Sequence, residues 1–398
     1  MQQVAQSWLI YRLTDSALLL GAIGFANQIP VFFLGAIGGH VADRYDRRRV
    51  LLITQTASMI LAFALAALTL TGLVREWHLF VLSVLLGIVN AFDIPARQAY
   101  LVQLVDREDL INAIALNSSM FNGARIVGPA IAGLLVAAIG EGWCFFANAV
   151  SYIAVIIGLM MINTPRFVAQ QGRSVWANIT EGFRFVGRAA PVRALLLLIG
   201  AVSFAAMPYS VLMPLFADRV LHAGARGLGI LMGAAGAGAL IGSLALASRS
   251  SVKGLGRWVA ISCAIFGAAL AAFAMSRTFA LSAALLVVAG GAVMVQMASS
   301  NTLIQSMVPD ELRGRVMSVY IMMFVGLGPI GALLAGSIAE RIGAPLTVAG
   351  GGIITVLAAI VFFLRLPSLR NEARQLIIAQ QTAGGEPAEQ TTATGAEA

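Results

Sequence analysis

The sequence predicts an all-α membrane protein made of two bundles of six helices. Its 398 residues are 59% hydrophobic and only 11% charged, whereas a soluble domain carries about 25% charged residues. Apolar runs of about 20 residues, the length that crosses a bilayer as a helix, recur along the whole chain. Eleven complete spans are predicted, at 17–42, 50–72, 78–97, 114–139, 143–162, 194–215, 228–247, 258–275, 279–300, 316–339 and 345–364.

A shorter apolar segment precedes the first complete span. Residues 1–13 include three glutamines, and as a helix they extend only about 20 Å of the roughly 30 Å of a hydrocarbon core. This segment is interpreted as the second half of a spanning helix whose first half is missing through truncation or a misplaced start. A short re-entrant segment is the alternative, and twelve helices result when the first one is completed.

Lysine and arginine are divided unequally between alternate loops. Nineteen lie in one set of loops and in the C-terminal tail, six lie in the other set, and Arg125 alone falls inside an apolar run. Because loops rich in Lys and Arg remain on the cytoplasmic side, the first set and both termini are expected to be cytoplasmic. The net charge of +8 is therefore explained by membrane topology, without a nucleic-acid surface.

The two halves of the chain repeat one another. The run QLVDREDLINAI followed by RIVGPAIAG in the first half matches QSMVPDELRGRV followed by FVGLGPIGA in the second, at an offset of about 200 residues. Two bundles are therefore expected at 1–162 and 194–364, with a linker at 163–193 and a largely disordered tail at 365–398. Within the linker, one apolar helical face predicts a helix on the membrane surface, formed by Trp176, Ile179, Phe183 and Val186.

Residues suited to catalysis or metal binding are sparse. Cys144 and Cys263 fall in separate apolar runs, which suits buried side chains better than a disulfide or a zinc site. The three histidines are far apart in the sequence, so neither a metal nor a cofactor is predicted, and no enzymatic triad is recognised.

Six charges in seven residues stand between the second and third spans, in the stretch GGHVADRYDRRRVLL at 38–52. This stretch resembles the signature loop of the major facilitator superfamily, with Asp46 where that family usually has glycine. The matching residues are Gly39, Asp43, Arg44, Arg47 and Arg48.

The resemblance covers the whole chain and implies the twelve-helix major facilitator fold. The runs MQQVAQSWLIYRLTDSALLLG, DIPARQ and EDLINAIALNSSMFNGARIVGPAIAG are similar to the bacterial enterobactin exporter, or transmembrane secretion effector, branch. Members of that branch export siderophores or hydrophobic drugs. The resemblance also implies that Asp43 pairs with a neighbouring helix N-terminus or an arginine in the outward-open state, although a purely topogenic charge cluster is the simpler alternative.

Two ionisable residues are predicted inside the membrane, where such groups usually mark an ion or substrate pathway. Asp93 is hypothesised to carry a proton, with Arg125 on the next helix as its counter-ion until substrate or conformation separates them. A static ion pair, or an Asp93 that faces cytoplasmic water, is the alternative. Helix bends are predicted at Gly128 with Pro129 and at Gly328 with Pro329, a reduced form of the antiporter proline motif.

In this superfamily the first helix of each three-helix unit lines a central cavity. Amides, hydroxyls, methionine and aromatic residues in those helices suit a bulky, partly apolar ligand, and interhelical hydrogen bonding is the alternative role for each. These cavity candidates are Gln3, Gln6, Tyr11, Asn90, Ser203, Met207, Tyr209, Gln296, Ser299 and Asn301.

A bacterial inner-membrane efflux transporter is therefore predicted, monomeric, with a siderophore or a hydrophobic drug-like compound as substrate and protons as the coupling ion. Import or release of a small metabolite is the alternative transport function. A membrane enzyme or a non-transporting scaffold is the alternative from another class.

Overall fold

The computed structural model describes residues 1–105, 109–162, 175–248 and 254–383, and nearly all of these residues are helical. The first half of the chain forms α1 to α6. Their bounds are Gln2–Thr14 (α1), Ala17–Arg44 (α2), Arg47–Leu70 (α3), Glu76–Leu104 (α4), Leu110–Ile139 (α5) and Glu141–Met161 (α6).

The second half follows a short helix, α7, at Val175–Arg188, and contains two π-helical turns, Phe216–Val220 and Met322–Gly326. Its first helix ends in a 3₁₀ turn at Met207–Ser210. The helices are Ala190–Ala205 (α8), Met213–Leu215 (α9), Gly224–Ala247 (α10), Leu255–Met275 (α11), Phe279–Met307 (α12), Asp310–Ile321 (α13), Leu327–Ile342 (α14) and Ala344–Ala383 (α15).

The all-helical membrane fold predicted from the apolar runs is confirmed. Ten helical segments in the described part of the chain are long and apolar enough to cross a membrane. The predicted span at 114–139 lies within α5.

Several helices continue beyond their predicted ends, because the apolar run stops where the hydrocarbon stops while the backbone hydrogen bonds continue. Helix α4 extends to Leu104 and α12 to Met307, so Arg97, the last residue of the predicted span 78–97, lies well inside α4. The tail predicted from residue 365 is helical as far as Ala383. This extension is held by partly buried apolar residues on one helical stripe, namely Leu366, Leu369, Ala373, Leu376 and Ile377.

Two helix pairs join the halves, α2 with α14 and α5 with α10. We call the end of the bundle where α2 meets α3 the Arg-rich end, and the end where α1 meets α2 the opposite end. Near the opposite end the backbones almost touch. A Cβ built on Gly21 would lie 2.5 Å from the carbonyl oxygen of Ala332, and one on Gly133 would lie 2.7 Å from the Cα of Gly229. Only glycine allows this approach.

The glycines of α10 allow close packing against neighbouring helices. A Cβ on Gly238 would lie 1.9 Å from the carbonyl oxygen of Val287, and one on Gly242 would lie 2.4 Å from that of Gly291. One row of small residues therefore packs α10 against α12, and Gly229 on the same helix packs against the other half.

Candidate functional site

The two halves are bonded to each other at the opposite end. The hydroxyl of Tyr11 at the end of α1 donates to Asp218 Oδ2 at 2.7 Å. Asp15, which ends α1 in the left-handed region at φ 52°, forms an ion pair with Arg219 and also accepts from it through its carbonyl oxygen at 3.2 Å. The hydrogen bond to Asp15 raises the pKa of Arg219, so this cation keeps its charge throughout the physiological range.

A second connection at this end joins a carboxylate of one half to a helix terminus of the other. Glu340 of α14 accepts the backbone N–H of Leu18 at 3.1 Å and the hydroxyl of Ser16 at 3.2 Å. Ser16 is itself the N-cap of α2 and accepts from Leu19 N–H. The positive end of the α2 dipole therefore faces an anion supplied by the second half.

At the Arg-rich end, the signature loop bonds within the first half. Arg47 donates to the carbonyl oxygens of Ala42 and Ala99 at 3.2 and 3.3 Å. Arg48 donates to those of Leu159 and Met160 at 2.7 and 2.5 Å. Three helices, α2, α4 and α6, are held together by these two side chains, because the guanidinium groups bond backbone carbonyls.

The remaining residues of the predicted gating motif make no close contact with the second half. Asp43 and Arg44 are exposed, and Gly39 is half-buried, with no described atom within 4 Å of a Cβ built on it. Within the described residues, the Asp43 carboxylate has neither a hydrogen bond nor an ion pair. The pairing of Asp43 across the two halves is therefore unformed in this conformation.

Asp46 begins α3 as its N-cap. Its side chain accepts the backbone N–H of Arg48 at 3.0 Å, and its φ of −58° is ordinary for any residue. The glycine that the family usually has at this place is not needed for the backbone geometry here. Aspartate instead contributes a cap bond, which a glycine would lack.

Asp93 lies between α3 and α4 with its side chain only 3% exposed. Thr54 Oγ1 and Gln55 Nε2 donate to Asp93 Oδ1 at 2.8 and 2.7 Å. Arg97, one turn further along α4, forms a short ion pair with Oδ2, while its own side chain is 65% exposed. Both oxygens of the Asp93 carboxylate have partners, and the Arg97 side chain that pairs with it is largely exposed.

These partners differ from the predicted one. The side chain of Arg125 lies outside the described residues, so its pairing with Asp93 stays a prediction. Sequence analysis missed Thr54, Gln55 and Arg97. The i, i+4 spacing of Asp93 and Arg97, both inside the predicted span 78–97, is a sufficient signal for the ion pair.

The corresponding helix of the second half, α12, has a cluster of neutral polar residues. Helices α4 and α12 both contain 29 residues, and Gln296 Nε2 of α12 donates to the Ser300 hydroxyl at 3.4 Å. Ser299 beside them is fully buried, and neither its hydroxyl nor Gln296 Oε1 has a hydrogen-bond partner among the described residues.

Several cavity candidates bond to neighbouring helices in this conformation. Gln6 is buried and donates to Ser83 Oγ at 2.7 Å, and Tyr11 bonds Asp218 as described above. Ser203 is also buried and donates to the carbonyl oxygen of Phe324. These three candidates do not face an open cavity here.

The Ser203 bond lies at the predicted helix bend. Phe324 belongs to the π-helical turn Met322–Gly326, and the residue five positions later, with which a π-helical carbonyl would pair, is Pro329, which has no N–H. Ser203 supplies a donor to the Phe324 carbonyl oxygen.

The other candidates are more accessible. Gln3 is exposed, and Asn90, Met207 and Tyr209 are half-buried. Asn301 is also half-buried and accepts from Gln305 at 3.1 Å. The other predicted bend, at Gly128 and Pro129, lies inside α5, and no described atom is within 4 Å of a Cβ built on Gly128.

The transmembrane secretion effector family matches residues 1–386 of this chain. The chain belongs to this family of the major facilitator superfamily. Membership in the transmembrane secretion effector family agrees with the predicted branch, and it makes the protein a multi-pass membrane transporter and not an enzyme.

Curated transport proteins match this chain over nearly its whole length. The staphyloferrin A transporter of Staphylococcus aureus (strain NCTC 8325 / PS 47) is 27% identical over 91% of this chain and 91% of its own length. The multidrug efflux pump Tap of Mycolicibacterium fortuitum is 28% identical over 92% of both chains. The enterobactin exporter EntS of Shigella boydii serotype 4 is 25% identical over 91% of this chain and 86% of its own.

Solved structures show the same fold as this chain. The nucleoside transporter NupG superposes with a TM-score of 0.71 at 17% identity, covering 91% of this chain and 95% of its own. A bacterial homologue of the human lysosomal transporter Spinster, in an inward-facing and unoccupied conformation, gives a TM-score of 0.68 at 17% identity, covering 93% and 94%. At these identities the likeness establishes the major facilitator fold alone.

Proposed function

We propose that the protein exports a siderophore or a hydrophobic drug-like compound across the bacterial inner membrane, by alternating access coupled to proton antiport. The Arg-rich end and both termini are cytoplasmic in this proposal, as the distribution of Lys and Arg favours. Efflux is supported by the relatives, which include siderophore and multidrug exporters.

The observation that carries this proposal is the position of the bonds between the two halves. Those of Tyr11, Asp15 and Glu340 lie at the opposite end, as do the close contacts of Gly21 and Gly133. At the Arg-rich end, Asp43 is exposed instead of bonded across the halves. This arrangement supports an inward-facing state, which is the conformation stated for the Spinster homologue.

During alternating access, one carboxylate contact between α2 and the segment formed by α13 and α14 would replace another. In the present state Glu340 caps the N-terminus of α2. In the outward-facing state Asp43, at the other end of α2, would reach α13, whose N-terminus has no side-chain cap. Each contact stabilises one state, and both depend on an anion beside a helix N-terminus.

Proton coupling is proposed to reside at Asp93. A carboxylate buried between spanning helices is costly unless it is paired, so loss of Arg97 favours protonation. The exposed guanidinium of Arg97 can move towards the Arg-rich end without disturbing packing. Thr54 and Gln55 then hold the carboxyl in place, and Arg125 remains proposed as a second counter-ion in the outward-facing state.

The substrate is proposed to bind between the halves, among the accessible candidates. Gln3, Asn90 and Asn301 would provide amides, while Met207 and Tyr209 would provide apolar and aromatic contacts. A mixture of this kind recognises a bulky, partly apolar molecule. Because Asp93 is occupied by Arg97, a strongly cationic substrate is disfavoured.

The test is transport by purified protein in proteoliposomes with an imposed pH gradient. Wild type should move a macrolide or an iron-free siderophore against its concentration gradient. In Asp93→Asn the transport driven by the pH gradient should fall at least tenfold, while substrate exchange without a pH gradient persists. Glu141→Gln, which changes a buried carboxylate that also has an exposed arginine partner, Arg12, is the matched control. Gradient-driven transport by Asp93→Asn at the wild-type rate would refute the proton role. Absence of transport by wild type, with or without the pH gradient, would refute export.

A further inference from the structure

Helix α7 is fixed to the second half through one face. A Cβ on Gly182 would lie 2.5 Å from the carbonyl oxygen of Arg315 in α13, and Glu181 forms an ion pair with the Arg315 side chain. Val186 is buried. The face expected from the sequence to lie on the membrane is therefore divided, because Val186 packs against protein while Phe183 is 41% exposed.

The outward side of α7 is basic. Arg184 and Arg188, four positions apart and so on one helical face, are exposed and have no carboxylate partner among the described residues. Arg193 at the start of α8 joins them, since its guanidinium donates to the carbonyl oxygen of Gly187 at 2.5 Å. Glu181, the one carboxylate of α7, is already paired with Arg315.

The position of α7 places this surface beside the membrane. Only Ala189 separates it from α8, where the candidate span Ala190–Ser210 begins. Glu372 of α15 accepts the N–H of Ala190 at 3.0 Å, which secures the junction. An exposed aromatic ring next to arginines at the start of a span is typical of a segment that lies among lipid headgroups.

We propose that Phe183, Arg184, Arg188 and Arg193 form a binding surface for anionic lipid headgroups. The ring of Phe183 inserts between lipids, and the three guanidinium groups bond phosphate oxygens, for which their planar donors are suited. Since α7 is fixed to α13, lipid bound here holds the second half in place at the Arg-rich end while the first half moves.

The experiment uses the full chain in lipid nanodiscs. Phe183→Cys is labelled with an environment-sensitive fluorophore, since both native cysteines are buried. Replacing phosphatidylcholine with phosphatidylglycerol should shift the emission to the blue, and high salt should reverse the shift. Each arginine near an anionic surface raises the association constant about fivefold. The triple variant Arg184→Gln/Arg188→Gln/Arg193→Gln should therefore lose the emission shift.

The matched control removes three exposed arginines from the opposite end, Arg226→Gln/Arg277→Gln/Arg341→Gln. It has the same net charge as the triple variant and should keep the full emission shift. Equal emission in the two lipids, or equal loss in both triple variants, would overturn the proposal. A shift produced in phosphatidylcholine by soluble polyglutamate, and none by phosphatidylglycerol, would also overturn it, because the surface would then bind an acidic protein instead.

Discussion

Glu340 accepts the backbone N–H of Leu18 at 3.1 Å, so a carboxylate of the second half caps a helix of the first. The two residues are separated by more than three hundred positions in the sequence, and they meet because α2 and α14 cross near Gly21 and Gly336. Helix-capping bonds usually form within one helix. Here the cap belongs to the opposing half, so it is made only while this end is closed.

Removing the cap should therefore open this end. In Glu340→Ala, loss of about 1 kcal/mol of capping energy should increase the outward-facing population about fivefold. Spin labels on Leu73→Cys and Thr278→Cys, two exposed residues of the opposite end, should report a larger share of long distances. Glu76→Ala, which removes an exposed carboxylate from the same end, is the control and should leave the distance distribution unchanged.

The contact between α5 and α10 should be intolerant of any side chain. In Gly133→Ala the new methyl group would lie 2.7 Å from both the Ala225 carbonyl oxygen and the Gly229 Cα, so the halves must separate. We expect transport to fall at least tenfold with the protein still folded. Gly123→Ala in the same helix has no atom of the described residues within 4 Å and should retain wild-type transport. A fully active Gly133→Ala would show that the two backbones can move apart without cost.

Hydropathy predicted the spans because a bilayer imposes a single length on every helix that crosses it. It could not predict the helix ends, since residues beyond the hydrocarbon are polar whether they are helical or not. That limit affected the site directly. Asp93 was predicted as an intramembrane charge, but Arg97, the last residue of the predicted span, was not considered as its partner, and the structure sets it one turn away on the same helix.

Contacts between distant segments could not be predicted from the sequence, for another reason. Tyr11 was interpreted as a cavity residue because it lies on α1, yet its hydroxyl bonds Asp218 across the halves. A tyrosine on a cavity-lining helix has the same local pattern in either role. Only the packing of the two bundles decides between them, and a single sequence carries no signal for it.

Arg48 should stabilise the first half more than its neighbour Arg49. Its guanidinium bonds two carbonyls at the last turn of α6, whose carbonyl groups lack intrahelical partners, whereas the Arg49 side chain is 84% exposed. Arg48→Gln should lower the free energy of unfolding by about 1.5–3 kcal/mol, the range for hydrogen bonds to charged groups. Thermal unfolding in detergent would measure this, with Arg49→Gln close to wild type. Equal melting temperatures for the two variants would contradict the carbonyl bonds.

Variants of Asp46 can distinguish two explanations for the glycine that the family usually has at position 46. If the turn required a left-handed backbone, glycine would stabilise it, but the φ of Asp46 is −58° and its carboxylate caps α3. Asp46→Ala should therefore lose about 1 kcal/mol of stability, Asp46→Gly only a few tenths, and Asp46→Asn almost nothing. The ion pair with Arg49 at 3.8 Å is exposed and adds little. Thermal unfolding of the three variants gives the order. A glycine variant more stable than wild type would show that the turn is strained and that the cap does not compensate for it.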